Sequence, residues 1–308
     1  MKKITLSIGI PAHNEEKNIS SLLCSILSQK HSSYVIKNIY VLCDGCTDKT
    51  AEIVSEFSKE NRKIILTNDG KRKGKAQRLN EIYSKNESEL LLTIDADVIF
   101  ETTNALEILV QSMIQDKQLL LVGPRYVPVQ STTLMGRFAE YSYLSFEDAI
   151  IHLNGGNNIY ALMGCCSLLK KSFSKEFIYP KGVISDQNFL YLTAIQKNCN
   201  SFKLCLDAHI LFRTVSSFQD WRLLSTRSIV GDKHSVKVFF GDKIFAREYY
   251  MPRKIYALAL FKWIIKQPFY TSGSILMNLY IRLFPYTATP VSNGIWETTK
   301  TSKEAIYV

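Results

Sequence analysis

Along the first half of the chain, short apolar runs alternate with stretches whose apolar residues recur at three- and four-residue spacing. ITLSIGI (4–10), VIKNIYVLC (35–43), KIILTN (63–68), ELLLTID (89–95) and QLLLVG (118–123) are β-rich and of strand length. EEKNISSLLCSILSQ places Ile19, Leu22, Leu23, Ile26 and Leu27 at helical spacing, and DKTAEIVSEFSKE does so with Ile53, Val54 and Phe57. The alternation predicts β-α-β units and hence an α/β fold, a mostly parallel sheet with helices on both faces. Ligands of such sheets lie beyond the carboxyl ends of the strands, so the loops after Ile10, Leu42 and Ile94 are expected to meet at one crevice.

The texture changes near residue 212. SFQDWRLLSTRSIVG reads as a helix with basic and aromatic residues, and MPRKIYALALFKWIIKQP and SGSILMNLYIRLFP as apolar-rich helices bounded by proline. Lys262 and Lys266 interrupt one and Arg282 the other, so neither supplies the roughly 18 apolar residues of a spanning helix. The expected division is a catalytic domain over 1–212 and a basic, apolar-rich helical extension over 213–308. At the other end, MKKITLSIGIPAHNEE begins like a signal peptide, but its apolar run stops at Pro11 without a small-residue cleavage site and reads as a first strand. The tail TTKTSKEAIYV has no pattern and is expected to be loose.

Composition adds constraints. A chain of 308 residues at 46% hydrophobic is globular and large enough for one major domain with an attachment. Seven cysteines, an odd number with no export signal, imply reduced thiols and a cytoplasmic protein. Cys43 and Cys46 form a C-x-x-C, but zinc needs two more ligands and no second C-x-x-C exists. The net charge is +10, and residues 213–308 hold fourteen Lys and Arg against six Asp and Glu. That excess suits an anionic lipid surface, a phosphate-bearing substrate or nucleic acid, and equally a solubilising surface; no nucleic-acid recognition module is present. The last helices have two uses open to them. They can lie peripherally on the inner face of a membrane, with Phe261, Trp263, Phe269 and Leu276 in the acyl boundary and Lys254, Lys262, Lys266 and Arg282 at headgroups. Alternatively they pack on the main domain or a second subunit, as in a homodimer.

The polar loops carry the chemistry. In LLLTIDADVIF, strand alternation puts Asp95 and Asp97 on one side with Ala96 opposite, a repulsion that a bound cation relieves. GIPAHNEEKN and VLCDGCTDKT each admit a plain reading as a strand end, turn and helix cap, with Pro11 ending the strand and Asn14 or Glu15 starting the helix. NDGKRKGKAQRLN gathers Lys71, Arg72, Lys73, Lys75 and Arg78 around Gly70 and Gly74, a phosphate-binding loop or a solvated charge run. Asp186 opens a helical pattern in GVISDQNFLYLTAIQKN, where a cap is the plain alternative.

In this order the motifs resemble the family 2 glycosyltransferases, nucleotide-sugar enzymes of the GT-A fold, over roughly residues 1 to 230. PAHNEE is similar to the family's P-A-x-N-E-E, which implies that Pro11, Ala12 and Glu15 line the nucleoside. VLCDGCTDKT resembles V-V-D-D-G-S-T-D-G-T, with Asp44 at the base-binding acid; Cys43 and Cys46 depart from an acid and a serine. GKAQRLN resembles G-K-x-x-x-L-N and carries over Gly74, Lys75 and Asn80, Lys75 near the phosphates. Asp95, Ala96 and Asp97 match the D-x-D that binds sugar diphosphate, with Asp97 foremost and Asp95 beside it as ligands of Mg²⁺ or Mn²⁺. Asp186 matches the general base of E-D-x-x-L, with Ser185 in place of the preceding acid. IYALMGCCSLLKKSF is similar to G-x-x-x-x-x-R-R, placing Gly164 beside sugar or acceptor and Lys170 at an arginine. The resemblance implies an inverting, metal-assisted enzyme that takes a nucleotide-diphospho-sugar, most often a UDP-sugar, to a glycan or lipid-linked acceptor in cell-envelope polysaccharide synthesis.

Further residues stay open. Gln219, Trp221, Arg222 and Arg227 are those of a Q-x-x-R-W helix in another order, with Arg222 or Arg227 as a diphosphate clamp or a surface ion pair. His209 is a third metal ligand or a structural histidine. Two other functions compete: a sugar-1-phosphate nucleotidyltransferase, whose usual Gly-rich opening loop PAHNEE lacks, and a nucleic-acid-binding protein using the basic C-terminal region.

Overall fold

The computed structural model describes residues 3–183, 185–228, 233–284, 299 and 301–306. Residues 229–231 of the helix read from SFQDWRLLSTRSIVG lie outside them, as do 298, 300, 307 and 308 of the terminal segment.

The N-terminal part runs β1 (Ile4–Ala12), α1 (Ile19–Leu27), β2 (Tyr34–Cys43), α2 (Thr50–Glu60), β3 (Ile64–Asn68), α3 (Lys75–Lys85) and β4 (Leu90–Ile94). There follow β5 (Ile99–Phe100), α4 (Ala105–Gln115), β6 (Leu121–Pro128), α5 (Leu134–His152), β7 (Cys166–Lys170), α6 (Lys171–Glu176), α7 (Asp186–Lys197) and β8 (Phe202–Phe212). Helices α8 (Phe218–Thr226), α9 (Lys233–Glu248), α10 (Arg253–Lys266) and α11 (Pro268–Leu283) follow.

The strands form an eight-stranded sheet in the order β3-β2-β1-β4-β7-β6-β8-β5. Its first four strands are parallel, as the alternation requires. The direction reverses at β7, which runs antiparallel to β4 and β6. Pro11 does not end β1: the strand pairs with β2 through Pro11–Leu42 and Ala12–Cys43. Pairing with β4 stops at Gly9, so Pro11 stands at a locally open edge where its missing N–H breaks no ladder bond on that side.

Apolar layers cover both faces. On one, Leu6, Ile8 and Ile10 pack with Ile19, Leu22, Leu23 and Ile26 of α1 and Leu106, Leu109 and Val110 of α4. On the other, Leu42, Leu91, Leu121 and Leu169 meet Leu79 and Ile82 of α3 and Leu190 of α7. The strands are thus buried on both sides, which explains their continuous apolar runs.

Helices α10 and α11 lie along α5. Tyr141 stacks on Tyr270 at 5.3 Å, with the Arg137 guanidinium 5.1 Å from one ring and 4.8 Å from the other. Trp263 packs edge-on against Tyr141. Gly273 permits this approach, since a Cβ there would stand 2.3 Å from the Phe138 ring. Trp263 therefore faces inward, contrary to its expected place on the outer face, because an aromatic slot on α5 accepts it. Lys262 is likewise drawn into an ion pair with Asp148 at 2.5 Å. No described helix is long and apolar enough to cross a membrane.

Candidate active site

The loops after β1 and β2 are stitched together by side chains. Asn14 Oδ1 accepts from Thr47 N at 2.8 Å, Glu15 N donates to Thr50 Oγ1 at 2.7 Å, and Glu16 N donates to Asp48 Oδ2 at 3.0 Å. His13 Nδ1 lies 2.8 Å from the Asp44 carbonyl. Asn14 holds a left-handed backbone, φ 52°, and α1 begins only at Ile19. The expected cap at Asn14 or Glu15 is absent because both belong to this inter-loop seam. The Glu15 carboxylate turns inward, accepting from Asn18 Nδ2 at 3.0 Å and pairing with Lys303 at 2.5 Å. Burial pushes its carboxyl above the usual range, against the lowering effect of Lys303.

Asp44 organises the basic loop. Its carboxylate accepts from Lys73 N at 2.6 Å, Gly74 N at 3.0 Å and Arg78 Nε at 3.1 Å. Arg78 is fully buried and also binds Asp69 at 2.6 Å, Glu81 at 3.2 Å and the Lys71 carbonyl. Two of the five cations thereby leave the expected phosphate cluster: Arg78 is an interior clamp on three carboxylates, and Lys73 pairs with Asp69 and Glu81. Arg72 lies over Gly45, and its Nη1 is buried without a hydrogen-bond partner among the described residues.

Lys75, opening α3, reaches the carboxyl end of β4. Its Nζ stands 2.7 Å from Asp95 Oδ2 and 3.1 Å from Asp186 Oδ2, and donates to the Gly164 carbonyl at 3.1 Å. Four residues predicted from separate motifs are thus joined by one ammonium group. Burial opposes its charge, but Asp186 and Asp95 outweigh that and hold its pKa above the ordinary lysine range. Gly164 takes φ 77°, and a Cβ there would sit 3.0 Å from Gln187, so glycine lets the 164 carbonyl approach Lys75 beside α7. Asp186 opens α7, but its carboxylate is engaged with Lys75.

Ala96 is buried in the core between the two acids. Burial raises Asp95 to about 6, with Lys75 acting against it and Asp97 and Asp186 reinforcing it. Asp97 is raised to about 6 by burial and then by Glu15, with Lys303 and Lys75 opposing. Among the described residues no cation lies within ion-pair distance of Asp97, whereas Asp95, Asp186 and Glu15 each have one. A crowded carboxylate without a counter-ion fits a hard divalent cation. No set of three His, Cys, Asp or Glu among the described residues makes a closed metal site, so a cation at Asp97 would need other oxygen ligands.

Other candidates lie elsewhere. Asn80 uses both ends of its amide on the Tyr179 backbone, at 2.9 and 2.8 Å, which makes it a brace between α3 and the segment before α7. Lys170 pairs with Leu90, at the opposite end of β4 from Asp95, and donates to the Lys117 carbonyl. His209 bonds Glu101 through one ring nitrogen and the Leu206 carbonyl through the other, the structural arrangement rather than a metal ligand. Arg222 Nε donates to the Phe284 carbonyl. The expectation missed Lys303, which no local pattern announces.

The family model for glycosyl transferase family 2 matches residues 7–178, more than half of the chain, and the chain belongs to that family. Its eight-stranded sheet flanked by helices is the GT-A fold. The 4,4'-diaponeurosporenoate glycosyltransferase of Staphylococcus aureus strain USA300 is 35% identical over 124 residues, covering 40% of this chain and 32% of that protein. The match thus spans about a third of the relative's length. A mannosyltransferase from Pyrobaculum calidifontis, solved with GDP-Man and Mn²⁺, aligns over 92% of this chain and 77% of its own at TM-score 0.58 and 14% identity. S. aureus TarS with UDP-GlcNAc aligns over 91% and 88% at TM-score 0.53 and 16% identity. Glucosyl-3-phosphoglycerate synthase from Mycobacterium tuberculosis, with Mn²⁺, UDP and phosphoglyceric acid, gives 76% and 78% at TM-score 0.55 and 17% identity.

Proposed function

We propose that this chain moves a sugar, with inversion, from a nucleoside-diphosphate donor, a UDP-sugar, to a hydroxyl of a glycan or lipid-linked acceptor, assisted by Mg²⁺ or Mn²⁺. The observation that carries the reading is the Asp95–Lys75–Asp186 cluster beside Asp97, whose carboxylate has no counter-ion among the described residues. The UDP, UDP-GlcNAc, GDP-Man and Mn²⁺ bound by neighbours of the same fold support the donor class and the metal.

In this mechanism the loops at Pro11, Ala12 and Asp44 form the nucleoside wall, and the unpartnered Arg72 Nη1 offers a donor to an oxygen of the nucleotide. Asp97 and Asp95 would hold the metal, which neutralises charge on the departing diphosphate. Lys75, held cationic by its two carboxylates, stands near the phosphates. Asp186 takes the proton of the acceptor hydroxyl, and attack from the face opposite the leaving group inverts the anomeric centre. Gly164 leaves room for sugar or acceptor.

The division into a catalytic part over 1–212 and a helical extension over 213–308 belongs to the same proposal. Leu258, Phe261 and Ile265 of α10 and Phe269, Leu276 and Leu283 of α11 are all more than half exposed, with Arg253, Lys254, Lys266 and Arg282 exposed among them. An apolar face with interspersed cations suits peripheral attachment to an anionic membrane, on its cytoplasmic side, where a lipid-linked acceptor would be presented.

Incubating the protein with UDP-, GDP- and dTDP-sugars and Mn²⁺, while following released nucleoside diphosphate and the product's anomeric configuration by NMR, tests the reaction. Release from a UDP-sugar with inversion is expected. Retention, or turnover undiminished by EDTA, contradicts it.

A further inference from the structure

Lys303 comes from a segment that the sequence marked as loose, yet residues 301–306 are tied down. Thr301 donates through N and Oγ1 to Asp220 Oδ2 at 2.8 and 2.6 Å. Arg213 donates to the Glu304 and Ala305 carbonyls at 3.2 and 2.6 Å. Ile306 is buried in a small cluster with Ile99 and Leu211. These anchors aim Lys303 at the loop after β1. Its Nζ pairs with Glu15 Oε1 at 2.5 Å and donates to the His13 carbonyl at 2.5 Å. Asn18 Nδ2 closes the arrangement, donating to Glu15 Oε2 and to the Lys303 carbonyl at 2.9 Å.

Glu15 is 6% exposed and belongs to the same electrostatic cluster as Asp97 and Asp95. Keeping such a carboxylate ionised is costly unless a cation answers it. Among the described residues Lys303 alone makes an ion pair with Glu15. We infer that Lys303 is a positioning residue of the donor site: as the half-buried counter-ion of buried Glu15, it latches segment 301–306 over the His13–Glu15 loop and fixes the wall that the nucleoside meets. The inference rests on the donor crevice proposed above. It assigns to the distal end of the chain a part in donor binding that the motifs do not mention.

The test uses the full chain with K303M, K303R, E15Q and the double variant E15Q/K303M. K303M is expected to raise the donor KM about tenfold, the scale of one charge-assisted hydrogen bond, with kcat changed less than about twofold. K303R restores most of the loss. In the E15Q background K303M adds less than about twofold, because the charge it balances is gone. Backbone hydrogen exchange over residues 13–18, measured without nucleotide, is expected to quicken in K303M. A K303M penalty undiminished in E15Q overturns the inference, since Lys303 would then act on the donor itself. Tighter donor binding by K303M also overturns it, because the segment would be a plug. If the wild-type chain turns over no nucleotide sugar, the proposed function fails separately. The exchange measurement then decides alone, and unchanged exchange over 13–18 removes the latch.

Discussion

At the carboxyl ends of β1, β2 and β4, charged groups are drawn inward and answered by opposite charge. Arg78 is held by Asp44, Asp69 and Glu81, Glu15 by Lys303, and Lys75 by Asp95 and Asp186. On α10 and α11 the arrangement is inverted: aromatic rings clasp α5 on one face while Phe261, Ile265, Phe269 and Leu276 stand 61 to 67% exposed on the other. Buried ion pairs add little net stability but fix geometry, which suits a site that must be formed before its ligand arrives. Exposed apolar side chains do neither, and a patch of them is what a membrane or protein contact would bury. Asp97 stands apart within the first region, with no ion-pair partner among the described residues.

The largest effect in the polar region should come from Asp186→Asn, an isosteric change that removes the proposed base. Transfer should fall by about 10²- to 10⁴-fold, the usual span for a general base, while donor affinity stays within a few-fold. Comparable loss of donor binding in a titration would make Asp186 a structural partner of Lys75 instead.

Arg78→Met breaks the interior clamp and takes the close cation from buried Asp44, while Lys73 still answers Asp69 and Glu81. A loss of about 3 kcal/mol in denaturant unfolding is expected, the lower end for removing one member of a buried pair. A change below about 1 kcal/mol would show that the loop holds without it and that the contrast between the two regions is overstated.

The pH response has two opposite signs. Asp95 and Asp97 sit near 6 in the folded chain against an ordinary 3.8, so the metal-free fold binds extra protons between those values. Their contribution to stability is present at pH 4 and is lost as pH rises through about 6. Mn²⁺-dependent nucleotide binding needs the ionised forms and should weaken as pH falls through about 6. Calorimetric titrations from pH 5 to 8 check this, and a flat profile would contradict the crowding of the two acids.

The smallest effect belongs to the apolar face. Phe261→Ser with Leu276→Ser should leave soluble-acceptor turnover within about twofold while sedimentation with anionic vesicles drops, and wild-type binding should weaken with salt. A wild-type protein that ignores such vesicles at low salt, and forms a dimer that the double variant abolishes, would make this face an oligomer contact.

Much of the polar region was legible because its residues lie in short motifs at strand ends, where α/β topology leaves loops only one place to converge. Lys75, Asp95, Gly164 and Asp186, each from a different motif, come together at one ammonium group. What single positions do was less legible. Arg78 looked like one more phosphate-facing cation, and only the fold shows three carboxylates closing on it. Asn80 and Lys170 matched by spacing, yet one braces the backbone of Tyr179 and the other stands at the far end of β7. The inward turn of Trp263 depends on an aromatic slot built by α5, more than a hundred residues earlier in the chain. Lys303 was hidden for the same reason, since its partner Glu15 lies at the opposite end of the chain.

If Asp97 completes a metal-dependent nucleotide site, UDP binding depends on both this carboxylate and Mn²⁺. Isothermal titration of UDP into wild-type, Asp186→Asn and Asp97→Ala protein, each with and without Mn²⁺, tests it most directly, with circular dichroism confirming that the variants are folded. Mn²⁺-dependent binding is expected in the wild type and Asp186→Asn, with its loss in a folded Asp97→Ala. Equal binding by Asp97→Ala, or wild-type UDP affinity unaffected by Mn²⁺, would contradict it.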